Sequence, residues 1–434
     1  MLERLFLNNP SGGGGWIGLL TGGDTAGKSV AIDDSGNIYI CGYTNQGGSY
    51  GSLIAKYNNL GVIQWQRKLG STGQNDFGQG VAVDTSGNVY VCGNSRFNGS
   101  SNHFILAKYN AFGIIQWQRG ITTSSPSDAF NAIVDASGNL YVSGTAAKDS
   151  SDSNILIAKY NSSGTFQSSV QLGSSTTNTT ERGGGIALDS SGVVYIAGNS
   201  RPTSPLRNRF FVSKLDAAFT QSQWQQAFIN GNSNGDFASD IVVNSGGDVY
   251  ATGQIVIGTD QIFVCKFNSS GTVQWQRSLG GASNNGGGNG ITLDNVSGDI
   301  YVCAYNNAAG SYDFIIAKYN SSGVLQWQRR LGGIGFDVCQ SIQLDNLGNF
   351  YICGYVWNGT SNSLLVAKLP GDGSGTGTYS VGGVSLTYAV SSLTDAVTSF
   401  TTENPGIFGG ASLSLQTPTV TDAATTLTSS VIQI

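Results

Sequence analysis

Seven times along this chain one phrase recurs, clearest as GVAVDTSGNVYVCG…FILAKYNAFGIIQWQRG over residues 80–120, at a spacing of about 51 residues. A repeat of that length admits few folds, because each unit must be a module that buries its faces only against copies of itself. Within the unit apolar and polar residues alternate (Val81, Val83; Val89, Val91; Phe104, Leu106; Ile115, Trp117), the two-residue period of half-buried strands. Four short strands per unit follow, and they predict an all-β, seven-bladed β-propeller with one blade per unit.

Two columns fix the register. Tyr39, Tyr90, Tyr141, Tyr195, Tyr250, Tyr301 and Tyr351 occupy one equivalent position. Lys56, Lys108, Lys159, Lys214, Lys266, Lys318 and Lys368 occupy another, near the end of each third strand. The seventh unit stops after three strands, with no QWQR segment behind Lys368, whereas Trp16 stands before a Gly-rich connection as Trp65 and Trp327 do. Residues 15–20 are therefore expected to close the ring as the outer strand of the last blade, which removes two exposed strand edges at once. Turns of the DxSGN and NSSG kind join the first strand to the second and the third to the fourth, Asp bonding the backbone ahead and Gly taking positive φ. Strand direction alternates, so the second-to-third loops and the blade-to-blade crossings, which differ in every unit, must share the opposite face.

Composition narrows the function classes. Of 434 residues 63 are Gly, 11% are charged and the net charge is −5. Helix should be nearly absent, and with no basic stripe a nucleic-acid partner is disfavoured. No apolar stretch reaches the 18 residues of a membrane span, and the first residues carry no secretory apolar core, so neither membrane insertion nor a signal peptide is expected. Cys41, Cys92, Cys303 and Cys353 share one repeat position with Ser143, Ala197 and Thr252. Equivalent positions on adjacent blades lie too far apart for a disulfide, so free buried thiols are expected there and at Cys265, while Cys339 is harder to place.

A search for chemistry returns little. His103 is the only histidine and Glu3, Glu181 and Glu403 the only glutamates, which excludes a multi-His zinc site and leaves no triad to assemble. His103 reads as an exposed loop residue. No catalytic residue, metal or cofactor is assigned, and the chain is not expected to be an enzyme. Asp24, Asp76, Asp128, Glu181, Asp236 and Asp337 recur before the inner strands, with Gly286 in their place in the sixth unit. They could ring the channel mouth and hold a cation; capping of turns or pairing with blade lysines is the preferred reading, because a structural motif must repeat and a single ligand site need not. The DxSGN turns are too short to be calcium loops. Trp65, Trp117, Trp224, Trp275 and Trp327 read as inter-blade packing rather than as a sugar platform. The non-repeating loops offer Tyr50, Phe97, Arg201, Arg207, Tyr312 and Trp357, with Arg209 beside them, as candidate recognition residues, in the Tyr/Trp/Asn/Ser/Gly/Arg style of adaptable surfaces. Solvated loops with tucked aromatics are the plainer alternative.

Beyond the last blade the character changes. Residues 1–14 form an N-terminal segment, 15–369 the propeller, 370–378 (PGDGSGTGT) a linker and 379–434 a Ser/Thr-rich C-terminal arm without Lys or Arg. In that arm VSLTYAVSSLTDAVTSFT from Val384 matches ASLSLQTPTVTDAATTLT from Ala411 at an offset of 27 residues. Such weakly apolar sequence cannot order itself in isolation, so an extended β assembly arm held by a neighbouring subunit is expected, with a small independent β-module as the alternative.

The unit D-x-S-G-N-V-Y-V-x-G, then A-K-Y or A-K-L, then a Trp-bearing strand, resembles the SBBP-type bacterial β-propeller repeat nearly throughout residues 29–369. Units three and four depart from it: the segment from Gln167 to Val170 replaces the Trp strand, and SKLDAAF replaces AKYNSSG. The resemblance implies the fold and no particular activity, since such repeats occur in bacterial surface proteins and in phage structural proteins. The Ser/Thr-rich tail resembles segments of phage virion proteins. An extracellular-type composition without an export signal is reconciled by assembly inside a bacterium and release by lysis. The expectation is thus a non-enzymatic virion structural protein of a bacteriophage, on the tail or as a capsid-exposed appendage, present in many copies of a symmetric assembly. Its partners would be other virion subunits through the arm and a host-surface glycan or protein. A bacterial cell-surface or extracellular binding protein is the alternative, and a polysaccharide-degrading enzyme a third class.

Overall fold

The computed structural model describes residues 4–7, 15–46, 48–70, 73–96, 102–122, 127–147, 152–173, 180–201, 207–228, 235–398, 400, 402–403, 421–423 and 428–430. These residues form strands and turns only, arranged as seven antiparallel sheets. Blades 1 to 6 occupy residues 25–70, 77–122, 127–172, 182–228, 237–280 and 286–332, each a four-stranded meander in chain order from the innermost strand outward. Blade 7 takes three strands from 338–370, and its fourth is Gly15–Leu20, paired with Asn362–Pro370 so that Trp16 faces Lys368 and Leu20 faces Leu364. The N-terminal closure expected from the missing QWQR segment is thereby formed.

The repeated residues are the joints of this ring. Asp33 of the first turn of blade 1 accepts the amides of Ser35 and Asn37 through one oxygen and the Tyr39 hydroxyl, at 2.9 Å, through the other. The same Asp–Tyr bond recurs at Tyr90, Tyr141, Tyr195 and Tyr351. In all seven blades the column lysine lies over the ring of its column tyrosine, between 4.8 and 5.4 Å from the centroid. Each Trp of the outer strands reaches the next blade. Trp65 donates its indole N–H to the Ala111 carbonyl, and its ring lies against Gly113, where a side chain would collide with it and where φ is +72°. Arg67, two residues on, donates to the Gly113 carbonyl at 2.8 Å. Trp16, Trp117, Trp224 and Trp275 make the equivalent bond to Asn59, Ser162, Ser269 and Ser321. Trp327 lies against Gly373, so the first residues of the expected linker serve as the last of these turns.

The irregular units compensate one another. Blade 3 has Ser168 opposite Lys159, where the other blades have Trp. In the facing turn of blade 4, Phe219 replaces the glycine at φ +57° and sets its ring edge-on to Tyr141 at 6.1 Å. A side chain from the next blade thus occupies the position that the missing indole leaves.

The described residues of the tail add outer strands to five blades of the chain's own ring. Val384–Val390 pairs with Leu325–Gly332 of blade 6, and Thr394–Val397 with Val273–Gly280 of blade 5. Thr402–Glu403 continues on blade 4, Thr421–Ala423 on blade 2 and Thr428–Ser430 on blade 1, while Arg4–Leu7 adds to blade 7. The physical reason is that each outer strand leaves a row of N–H and C=O groups unpaired. The 27-residue repeat now has a meaning: it steps three blades. Asp395 faces Leu279 and Asp422 faces Ile121, each four residues beyond the Trp of its blade. Val381, Val384, Leu386 and Tyr388 are buried with blades 6 and 7 in one apolar cluster.

Candidate functional site

The two faces of the ring differ as the turns predict. On the face of the short turns every Asp or Asn closes its own hairpin. The opposite face carries the loops and crossings that vary, and the central channel opens there.

Each innermost strand carries a β-bulge at the same point, between Gly27 and Ser29, Gly78 and Gly80, Ala129 and Asn131, Gly183 and Ile186, Ala238 and Asp240, Gly288 and Gly290, and Cys339 and Ser341. The bulged residues line the channel mouth: Lys28, Gln79, Phe130, Gly184, Ser239, Asn289 and Gln340. No residue type recurs on adjacent blades, unlike the Tyr, Lys and Trp columns. With Arg182, Arg201 and Asp240 they bound a cavity of about 530 Å³. Below it lies a second cavity of about 330 Å³, lined by aliphatic residues such as Ile32, Val134, Leu188 and Val243 together with Asn131, Asp240 and Gln343.

One position further in, polar side chains tie neighbouring blades. The Ser341 hydroxyl accepts the Val30 amide, the Ser29 hydroxyl the Val81 amide, and Asp240 the Ile291 amide at 3.1 Å. The other Asp240 oxygen accepts its neighbour's amide, that of Ile241. Removal from bulk water pushes the Asp240 carboxyl up to about 7, against the opposing pull of those two amides. Desolvation lowers the Lys28 ammonium below the ordinary lysine value, with no carboxylate beside it among the described residues. Arg182 lies over the Phe130 ring at 5.5 Å.

Four of the six acids singled out from the sequence hold turn and loop donors. Asp337 accepts the Gly333 and Trp357 amides at 2.6 and 2.9 Å, Asp236 accepts the Val256 amide, Asp24 the Tyr50 hydroxyl at 2.7 Å and Asp128 the Asn102 amide group. Asp76, Glu181, Asp236 and Asp337 are buried, and the equivalent buried positions of blades 1 and 3 are Thr25 and Ser127, one residue beyond Asp24 and Asp128. His103 corrects its expectation: it opens the strand His103–Tyr109 rather than lying in the loop, and is buried, which lowers its pKa by desolvation. All six cysteines are free and buried, Cys339 included.

The candidate recognition residues separate into groups. Tyr312 packs on Tyr305 and Phe336, and its carbonyl accepts the Asp337 amide; Asp337 in turn holds the Trp357 amide. Together with Phe336 and Ile334, exposed by 62% and 91%, Tyr312 and Trp357 form an apolar patch between blades 6 and 7. Tyr50 belongs to a like cluster with Tyr43 and Phe77 between blades 1 and 2, its hydroxyl engaged by Asp24. Arg201 stands at the channel mouth, whereas the half-buried Arg207 does not line it. Phe97 lies outside the described residues. Sequence reasoning missed Phe336, Lys28, Arg182 and Asp240. The available signal was that the bulge column varies inside strands whose other columns repeat.

The model of the SBBP β-propeller repeat matches residues 16–48 and 64–99. No curated protein matches the chain. Among solved structures it is similar to the polysaccharide lyase Uly1, at 11% identity over 80% of this chain and 90% of that one, with a TM-score of 0.49. It is also similar to XC5397 from Xanthomonas campestris, a gluconolactonase important in glucose secondary metabolic pathways, at 12% identity over 82% and 90% of the two chains, TM-score 0.39. A third likeness is to a protein of unknown function from Bacteroides caccae, at 13% identity over 64% and 93%, TM-score 0.39.

Proposed function

We propose that this propeller of SBBP-type repeats is a non-enzymatic recognition and structural protein of a bacteriophage particle, displayed on the tail or capsid, with its variable face turned to a host-surface glycan or protein. The observation that carries this reading is the one-sided division of the ring. Repeated, self-satisfied turns occupy one face, and the other holds loops different in every blade with the patch of exposed Phe336 and Trp357 beside the half-buried Tyr312. Aromatic anchors amid polar loops are the usual makings of a binding surface. Six unpaired, buried thiols support assembly in a reducing cytoplasm over passage through an oxidising export route. Virion neighbours would meet the outward side of the tail strands, where Val390 and Val397 are exposed.

Sedimentation of particles from a lysate tests the reading. The chain should travel with the capsid at a fixed copy number, and the fluorescently labelled protein should stain host cells. A variant carrying Tyr312→Ala and Trp357→Ala should lose most of that staining. Recovery of the chain only with the cell envelope would favour the bacterial surface-protein alternative. Turnover of a host polysaccharide would overturn the non-enzymatic reading.

A further inference from the structure

We propose that the polar mouth of the central channel is a binding site for a compact, hydroxyl-rich anion, a sugar carrying one carboxylate or phosphate, held by Lys28 and Arg182.

The first ground is charge. The protein as a whole carries −5, yet the cavity presents Lys28, Arg182 and Arg201 against the single acid Asp240. Both oxygens of that acid are engaged by backbone amides, and three cations stand against it. Several strand cations elsewhere are answered by carboxylates: Lys266 by Asp248 at 2.8 Å, Lys318 by Asp299 at 2.9 Å and Arg330 by Asp313 at 2.7 Å. Lys28, half-buried at the cavity wall, has no such partner among the described residues, an arrangement that an arriving anion would relieve. A half-buried ammonium recessed in a cavity attracts an anion more strongly than one fully on the surface.

Shape and composition narrow the class. About 530 Å³ exceeds what a bare phosphate fills and lies in the range of small-molecule pockets. The side-chain amides of Gln79, Asn199, Asn208 and Gln340 around the cations are donors and acceptors suited to hydroxyl groups. Arg182, laid over Phe130, is held by that ring and can turn its donor fork to a carboxylate or phosphate. Finally, the seven bulged positions are equivalent by backbone but carry six residue types, with none repeated on adjacent blades, as a single asymmetric ligand requires and a symmetric structural role does not.

The site is independent of the host-recognition patch and of any particle, so its test uses the purified full chain. Calorimetric titration with glucuronate, glucose 6-phosphate, glucose and inorganic phosphate, at low and high salt, reads the selectivity. Either or both charged sugars should bind at least tenfold tighter than glucose and than inorganic phosphate, and lose affinity as salt rises. Which of the two binds tighter decides between carboxylate and phosphate. Lys28→Gln and Arg182→Gln should each weaken the binding tenfold or more; Arg182 is exposed, so its variant keeps the test valid if Lys28→Gln fails to fold. Equal binding of glucose, equal binding of inorganic phosphate, or unchanged affinity in Arg182→Gln would overturn the assignment.

Discussion

Phe219 holds a backbone conformation that a side chain ordinarily avoids, and the missing indole of blade 3 explains why it is tolerated. Left-handed φ costs an L-residue roughly 1–2 kcal/mol, which the packing of a large ring against Tyr141 offsets. Phe219→Gly should therefore lose stability, and Ser168→Trp alone should overpack against the existing ring by about 1–3 kcal/mol. The double variant restores the arrangement of the other blades and should be more stable than either single one, with a coupling of about 1–3 kcal/mol in urea unfolding. Simple additivity would refute the compensation. Asp240 makes a second residue-scale prediction. Its carboxyl rises from 3.8 unfolded to about 7 folded, so the folded state binds the proton more tightly. Stability from this group is full below pH 4, falls between pH 4 and 7 and is level above. Asp337, pushed up to about 6 by burial, acts in the same sense, so only a difference isolates Asp240. Asp240→Asn loses one amide acceptor at every pH but also the titration. Calorimetry should show its melting temperature furthest below wild type near pH 4.5 and the gap shrinking by pH 8; a gap constant with pH would refute the assignment.

At the scale of elements, the tail strands act by covering edges. Ending the chain after residue 376 keeps Gly373 beneath Trp327 but removes the buried Val381, Leu386, Tyr388 and Leu393. It also leaves the strands Val273–Gly280 and Leu325–Gly332 with unpaired outer edges. The truncated protein should melt several degrees lower and self-associate in light scattering, because a bare edge is a template for another chain. A monomer with unchanged melting temperature would show that the tail contributes no such cover. How far these elements were legible follows from their chemistry. Strands, turns and the Gly15–Leu20 closure could be read because the residues that make them, Asp33, Tyr39, Lys56 and Trp65, recur in register. The tail's destination could not be, since Thr394–Val397 states a strand and a weak apolar pattern but names no partner.

At the scale of the whole molecule, the same regularity that revealed the ring concealed its site. Lys28, Gln79 and Phe130 look like scatter within good strands, and only closure of seven blades brings them to one mouth. His103 was misplaced for a related reason: where a loop yields to a strand is a tertiary outcome, set by what Asn94 and Ser95 offer across the sheet. Closure by Gly15–Leu20 has a further consequence in time. Its partner Asn362–Pro370 emerges about 340 residues later in synthesis, roughly 20–70 s at ribosomal speeds. Throughout that interval Trp16, Ile17, Leu19 and Leu20 make a sticky, orphaned ribbon. In crowded expression a ribbon from one chain can complete the circle of another, yielding exchanged dimers that are correctly folded in every blade.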